Sequence, residues 1–164
     1  GAGSPVLTLG PGMTLKFDAG FGLGVGLDIG GKLVVAGTAA KHVVLTSLAT
    51  PPAPGNWVGV DVADGSKAQL SYADVSYGGS GDGGNLILGG GNSTSQLVVD
   101  HSSFTYSLGY GIYLSCADTT ASPVATVTLD PSNTYGHNAV DTTNANDRAH
   151  NVGPGLAGPD CPAH

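Results

Sequence analysis

Apolar residues along the chain occur in short runs, and Gly, Asn, Asp, Ser and Pro separate one run from the next. Short runs of this kind between turn-forming residues are typical of β-strands. No stretch has the period of an amphipathic helix, and Glu, a strong helix former, does not occur in the sequence. We therefore predict an all-β chain with strands at Val6–Leu9, Thr14–Phe17, Leu27–Ile29, Leu33–Val35, Val43–Thr46, Trp57–Val62, Gln69–Tyr72, Leu86–Leu88, Gln96–Val99, Gly111–Leu114 and Thr126–Leu129.

The predicted strands repeat at a long period. Leu70, Val99 and Leu129 lie in similar segments and are separated by 29 and 30 residues. Other columns have a similar spacing, namely Val75, Phe104 and Thr134, then Tyr77, Tyr106 and Gly136, and also Val58, Ile87, Ile112 and Val140. The first half is less regular, with Leu9, Ile29 and Val58 as rough counterparts and either Val35 or Leu45 leading to Leu70.

This repeat predicts a parallel β-helix, in which successive coils stack about 4.8 Å apart and like residues form ladders. A β-sandwich is the alternative, but its antiparallel hairpins give no reason for such columns. We expect about five to six coils over residues 1–143 and an irregular tail, residues 144–164, that covers the last coil. Because the N-terminal end has no evident cap, we expect another domain, a missing segment or a second copy to cover it.

Composition and charge narrow the partners. A length of 164 residues is typical of a single domain. The chain contains 12 Asp against 5 Lys and Arg, which gives a net charge of -7. The basic residues are scattered, so nucleic acid is not an expected partner. The longest apolar runs are far shorter than the roughly 18 residues that cross a bilayer, so membrane insertion is not expected either.

The two cysteines, Cys116 and Cys161, lie in Gly-, Ser- and Pro-rich surroundings without a His at metal-ligand spacing. The simplest interpretation is a disulfide that anchors the tail. It would suit an oxidising compartment, so we expect an extracellular or cell-surface location.

Several segments resemble bacterial right-handed parallel β-helix repeat proteins of the pectin-lyase-like superfold. They are Pro54–Val60, Leu70–Gly79 and Ser103–Leu114, and the opening Leu7–Phe17 is similar to the coil that commonly precedes them. The resemblance implies a right-handed β-helix in a secreted protein. It says much less about activity, since one fold hosts many functions.

Lyases of this superfold place Ca²⁺ on clustered acidic residues and use Arg or Lys as the base, and its hydrolases combine several Asp with His, Arg and Lys. This chain has one arginine, Arg148, in its polar tail, and no Lys shares a column with Asp100 and Asp130. We therefore expect a non-catalytic module. If the chain is an enzyme, a polysaccharide lyase or hydrolase, the candidates are Asp100, Asp130 and His101.

Asp100 and Asp130 share a column, so two stacked carboxylates could raise one pKa or bind a cation such as Ca²⁺. The alternative, which we favour, is that both point outward as turn residues in solvent. His101 follows Asp100 directly, so strand alternation places the two side chains on opposite faces and makes a relay between them unexpected.

A structural or glycan-binding role is the leading functional hypothesis, with a polysaccharide or cell-surface glycan as partner. Aromatic rings can stack on sugars, and Trp57, Tyr110 and Tyr113 are the candidates. Tyr72, Tyr77 and Tyr106 sit in or beside the aligned columns, so we expect them to pack in the core. Ice binding is a weaker alternative, because the threonines hold no single column.

Overall fold

The structure is a computed structural model that describes residues 4–26, 30–63, 65–81, 83–89, 95–114, 126–139 and 149–150. It contains three parallel sheets, each with five strands, and the chain visits the sheets in turn. Sheet A comprises β1 (Val6–Leu9), β4 (Lys32–Ala36), β7 (Lys67–Ser71), β10 (Gln96–Asp100) and β13 (Thr126–Leu129). Sheet B comprises β2 (Thr14–Phe17), β5 (Val43–Ser47), β8 (Ala73–Ser76), β11 (Ser103–Thr105) and β14 (Thr134–Gly136). Sheet C comprises β3 (Leu23–Val25), β6 (Val60–Val62), β9 (Gly84–Leu88), β12 (Tyr110–Leu114) and β15 (Ala149–His150).

This arrangement confirms the all-β parallel β-helix. It makes about four turns, slightly fewer than the five to six coils that we predicted. Within the described segments, no helix is long and apolar enough to cross a membrane. Cys116, Cys161 and Arg148 lie outside the described residues, as does nearly all of the tail from residue 144. The disulfide and the covering role of the tail therefore stay predictions.

The register of sheet A confirms the main column of the sequence. Leu70 pairs with Val99, and Val99 pairs with Leu129. Val35 is the residue that leads to Leu70, whereas Leu45 lies in sheet B opposite Val75. The column is regular because successive coils place an apolar side chain at equivalent inward positions of the core.

In sheet B the predicted register is correct for Val75 and Phe104 but slips by one residue in the last coil. Phe104 pairs with Tyr135, not with Thr134. Leu129 and Tyr135 are six residues apart, whereas Val99 and Phe104 are five apart, so the last corner holds one additional residue.

The predicted column in sheet C is wrong for two residues. Leu86 pairs with Val60 on one side and with Ile112 on the other, so the column is Val60, Leu86 and Ile112 and not Val58, Ile87 and Ile112. Ile87 falls on the outer face, because neighbouring residues of a strand point to opposite sides. Val140 and Ile29 lie outside the described residues. The strand β3 was not predicted, because Gly22, Gly24 and Gly26 make this segment look like a turn.

The inward side chains of the three sheets form one apolar core. Leu33, Leu45, Leu70 and Leu86 are fully buried in it. Leu7 pairs with Leu33 yet is 43% exposed, because it belongs to the first coil of the described solenoid. The expectation that a domain or second copy covers this end stays a prediction.

Candidate functional site

The outer face of sheet B carries two rows of mostly polar side chains. Side chains alternate along each strand, so the residues on either side of the buried Leu45, Val75 and Phe104 point to solvent. One outer row contains Thr14, Val44, Asp74, Ser103 and Thr134. The other contains Lys16, Thr46, Ser76, Thr105 and Gly136, and the Thr46 and Ser76 hydroxyl oxygens lie 3.0 Å apart.

Three rings, which we call the first ring stack, line the edge of sheet B that adjoins sheet A. The rings of Tyr72 and His101 are stacked with centroids 4.7 Å apart, and His42 lies 5.6 Å from Tyr72 in a tilted orientation. Tyr72 and His101 have positive φ values of 52° and 46°. This left-handed conformation, rare for residues other than Gly, turns the chain from one sheet into the next. Successive coils lie one strand spacing apart, so the rings come into contact.

A second ring stack, formed by Tyr77, Tyr106 and His137, lines the opposite edge of sheet B. The centroids are 5.1 Å apart between the two tyrosines and 4.8 Å apart between Tyr106 and His137, and both pairs are nearly parallel. All three residues have positive φ values, of 63°, 53° and 58°. The expected core position is thus wrong for Tyr106 and Tyr72, whose rings lie outside the apolar core at left-handed corners, whereas it is partly correct for Tyr77. Tyr106 is 38% exposed, and Tyr77 packs partly against the core.

An open groove of about 270 Å³ lies beside the first ring stack, and His42, Tyr72, Asp74, His101, Ser103 and Thr134 are among its lining residues. Asp74 is the central acid of this groove. His42 Nδ1 lies 3.1 Å from both Asp74 carboxylate oxygens, and the Ser103 hydroxyl donates a hydrogen bond of 2.6 Å to Oδ1. The Asp74 side chain is still 40% exposed, so the carboxylate is positioned but accessible.

Asp100 lies on the sheet A side of the same corner. Its Oδ2 accepts a hydrogen bond of 2.8 Å from the Ser71 hydroxyl, and its Oδ1 lies 3.1 Å from His101 Nδ1. The prediction that Asp100 and His101 face opposite sides is therefore wrong. Strand β10 ends at Asp100, and the positive φ of His101 breaks the alternation on which that prediction rested.

Asp130 follows β13 and lies fully in solvent, where its Oδ1 accepts a hydrogen bond of 2.8 Å from the backbone N–H of Ser132. Hydrogen bonds from the side chain and backbone of Ser132 lower the pKa of Asp130, and the nearby His101 lowers it further. This is the geometry of the favoured alternative, a solvated turn residue. In the described part of the chain, no group of three His, Cys, Asp or Glu residues could hold a metal ion.

Trp57 is not available as a sugar platform, contrary to the prediction. It is 0% exposed, stacks on Phe17 with centroids 4.4 Å apart, and donates an Nε1 hydrogen bond of 2.8 Å to the Ser76 carbonyl. Tyr110 and Tyr113 lie half-buried on β12 of sheet C, with centroids 5.4 Å apart. Their role in glycan binding stays a prediction.

His42, Asp74 and Ser103 were not among the site residues predicted from the sequence. A signal existed for Tyr72, because the repeat aligns it with His101 at an offset of 29 residues. His42 and Asp74 carry no comparable signal, since their contact crosses 32 residues in the irregular first half of the repeat.

Comparisons with known proteins give no relative. The chain matches no family model, and searches of curated proteins and of solved structures found no significant match. The structure supports the resemblance to the pectin-lyase-like superfold only at the level of a parallel β-solenoid. Because the comparisons found no relative, the family and the bacterial origin stay predictions.

Proposed function

We propose that this chain is a non-catalytic β-helix module of the cell surface or extracellular space that binds a polysaccharide or cell-surface glycan on the outer face of sheet B. The observation that carries the proposal is the pair of ring stacks that border a face rich in hydroxyl groups. Tyr72 and Tyr77 mark the two borders, and a separation of five extended residues corresponds to about 16 Å. This width accommodates a sugar chain.

The chemistry of the face suits a glycan. Aromatic rings pack against the C–H faces of sugars, and Ser, Thr and Asp side chains hydrogen-bond to sugar hydroxyls. The hydroxyl-bearing positions recur from coil to coil, for example in Ser103 and Thr134, so a polymer of repeated units meets repeated partners. Asp74 lies in the groove beside the first ring stack, where its accessible carboxylate would orient one sugar.

Two features favour binding over catalysis. None of the described residues that line the groove at Asp74 is a Lys or Arg, which the lyases of this superfold use as the base. Asp130 is held in a turn by Ser132, with its pKa lowered, which is the opposite of what a general acid needs.

A glycan array probed with the full chain, followed by calorimetry of the hits, tests the proposal. Replacing Tyr72 or Tyr106 by Ala should weaken binding by about 2- to 10-fold, the value of one stacked ring. Tyr113→Ala changes the same residue type on sheet C and should leave the affinity unchanged. Loss of affinity in Tyr113→Ala with none in Tyr72→Ala would move the site to sheet C.

The enzyme alternative makes a separate prediction. A lyase or hydrolase would cleave its polysaccharide, and Asp100→Ala or Asp130→Ala would abolish that turnover. Product formation with the unaltered chain, with or without Ca²⁺, would contradict the non-catalytic assignment. A product assay on each array hit therefore decides between binding and catalysis.

A further inference from the structure

The two edges of the sheet B face differ in charge. Asp74 lines the groove at the first ring stack, and Asp100 and Asp130 contact the lining residues His101 and Ser132. None of the described residues that line this groove is Lys or Arg. The chain neighbours of the second ring stack are Ser, Gly, Thr and Asn, whereas the first edge holds three carboxylates against one ammonium group, Lys41 beside His42, and is therefore the more negative of the two.

The carboxylates of this edge can accept further hydrogen bonds. Asp100 receives one donor on Oδ2, from Ser71, and has His101 beside Oδ1. A carboxylate has about four acceptor positions, so outward positions remain for a ligand. An ammonium group, with three donors and a positive charge, forms stronger hydrogen bonds to a carboxylate than a hydroxyl does.

From this charge distribution we infer that the glycan bound on sheet B is an amino-sugar polymer that carries free ammonium groups. The inference rests on the proposed function, because the ring stacks must first hold a sugar chain. A uronate polymer is disfavoured by the three carboxylates and by the net charge of -7. A neutral glycan would use the rings and hydroxyls alone and would leave the carboxylates without a charged partner.

The test compares three hexasaccharides by calorimetry with the full chain, in a slightly acidic low-salt buffer that keeps the sugar amines protonated. They are the glucosamine hexamer, its N-acetylated form and the galacturonate hexamer. The first should bind about five-fold more tightly than the second, the third should not bind, and added salt should remove the preference.

Matched variants locate the charge effect. Asp74→Asn and Asp100→Asn keep the side-chain shape and should each reduce the preference for the glucosamine hexamer by about two-fold. Asp61→Asn makes the same change in net charge on the outer face of sheet C and should leave the preference intact. Equal losses in all three variants would show a general charge effect and overturn the inference.

The remaining outcomes separate the inference from the proposed function. If the N-acetylated hexamer binds as tightly as the free amine and Tyr72→Ala weakens both, the glycan site stands and the amino-sugar inference fails. If a lysine hexamer binds as tightly as the amino sugar and independently of Tyr72, the face merely attracts cations and the inference fails. If no oligosaccharide binds, in the array or in calorimetry, both proposals fail.

Discussion

Asn85, near the start of β9, is a buried amide that stabilises the corner between β8 and β9. It is fully buried, and its Oδ1 accepts a hydrogen bond of 2.8 Å from the Gly78 N–H. Its Nδ2 donates to the carbonyls of Val75 and Thr105, at 3.2 and 2.9 Å. One side chain therefore joins two successive coils and the loop between two sheets.

The cost of Asn85→Ala follows from these three hydrogen bonds. Each contributes about 1 kcal/mol net, and a buried donor left without an acceptor costs about 1–3 kcal/mol. The Thr105 carbonyl keeps a second donor, the Tyr77 N–H at 3.2 Å, so its loss is partial. The Gly78 N–H has no such substitute in the described residues. We expect a loss of about 3 kcal/mol, a large part of the stability of a typical domain.

Urea denaturation measures this loss. Trp57 is the single tryptophan and lies close to Gly78, so its fluorescence reports on the affected corner while circular dichroism follows the sheets. Asn56→Ala, in a more exposed loop, is the matched control and should cost under about 1 kcal/mol. Equal losses in the two variants, or a loss below about 1 kcal/mol for Asn85→Ala, would refute the reasoning.

Further predictions concern a glycine and two titratable groups. Gly59 has a φ of 115°, and a Cβ there would meet the Gly84 carbonyl oxygen. Gly59→Ala should therefore lower the free energy of unfolding by more than about 2 kcal/mol, and an unchanged urea midpoint would contradict this. Burial raises the pKa of Asp61, so stability should fall as the pH rises from the ordinary Asp pKa through the raised value; Asp61→Asn should remove this fall in thermal denaturation, and an identical pH profile would disprove it. Burial raises the pKa of Tyr135 to about 12, so stability should fall between about pH 10 and 12; ultraviolet titration should lose this late transition in Tyr135→Phe, and its persistence there would assign it to another tyrosine.

The sequence by itself determined the architecture, and the physical reason is the repeated core. Each coil places one side chain at the same inward position, so Leu70, Val99 and Leu129 must all be apolar and must recur at the coil length. The coil length shows in the chain wherever successive corners have equal numbers of residues. The strand β3 was not predicted because the glycines within it and on either side interrupt the run of apolar residues.

The candidate site depended on the tertiary structure, because its residues meet through backbone conformation and not through spacing. The rings of Tyr72 and His101 lie outside the core because both residues adopt a left-handed conformation. This conformation can be predicted from the sequence for Gly but not for other residues. Asp74 and His42 meet only because two coils stack. Trp57 shows the reverse case, since packing against Phe17 buried a ring whose loop position suggested exposure. The sequence thus determines which repeated strand positions of sheet A must be buried, whereas the corners decide which of the other residues come together.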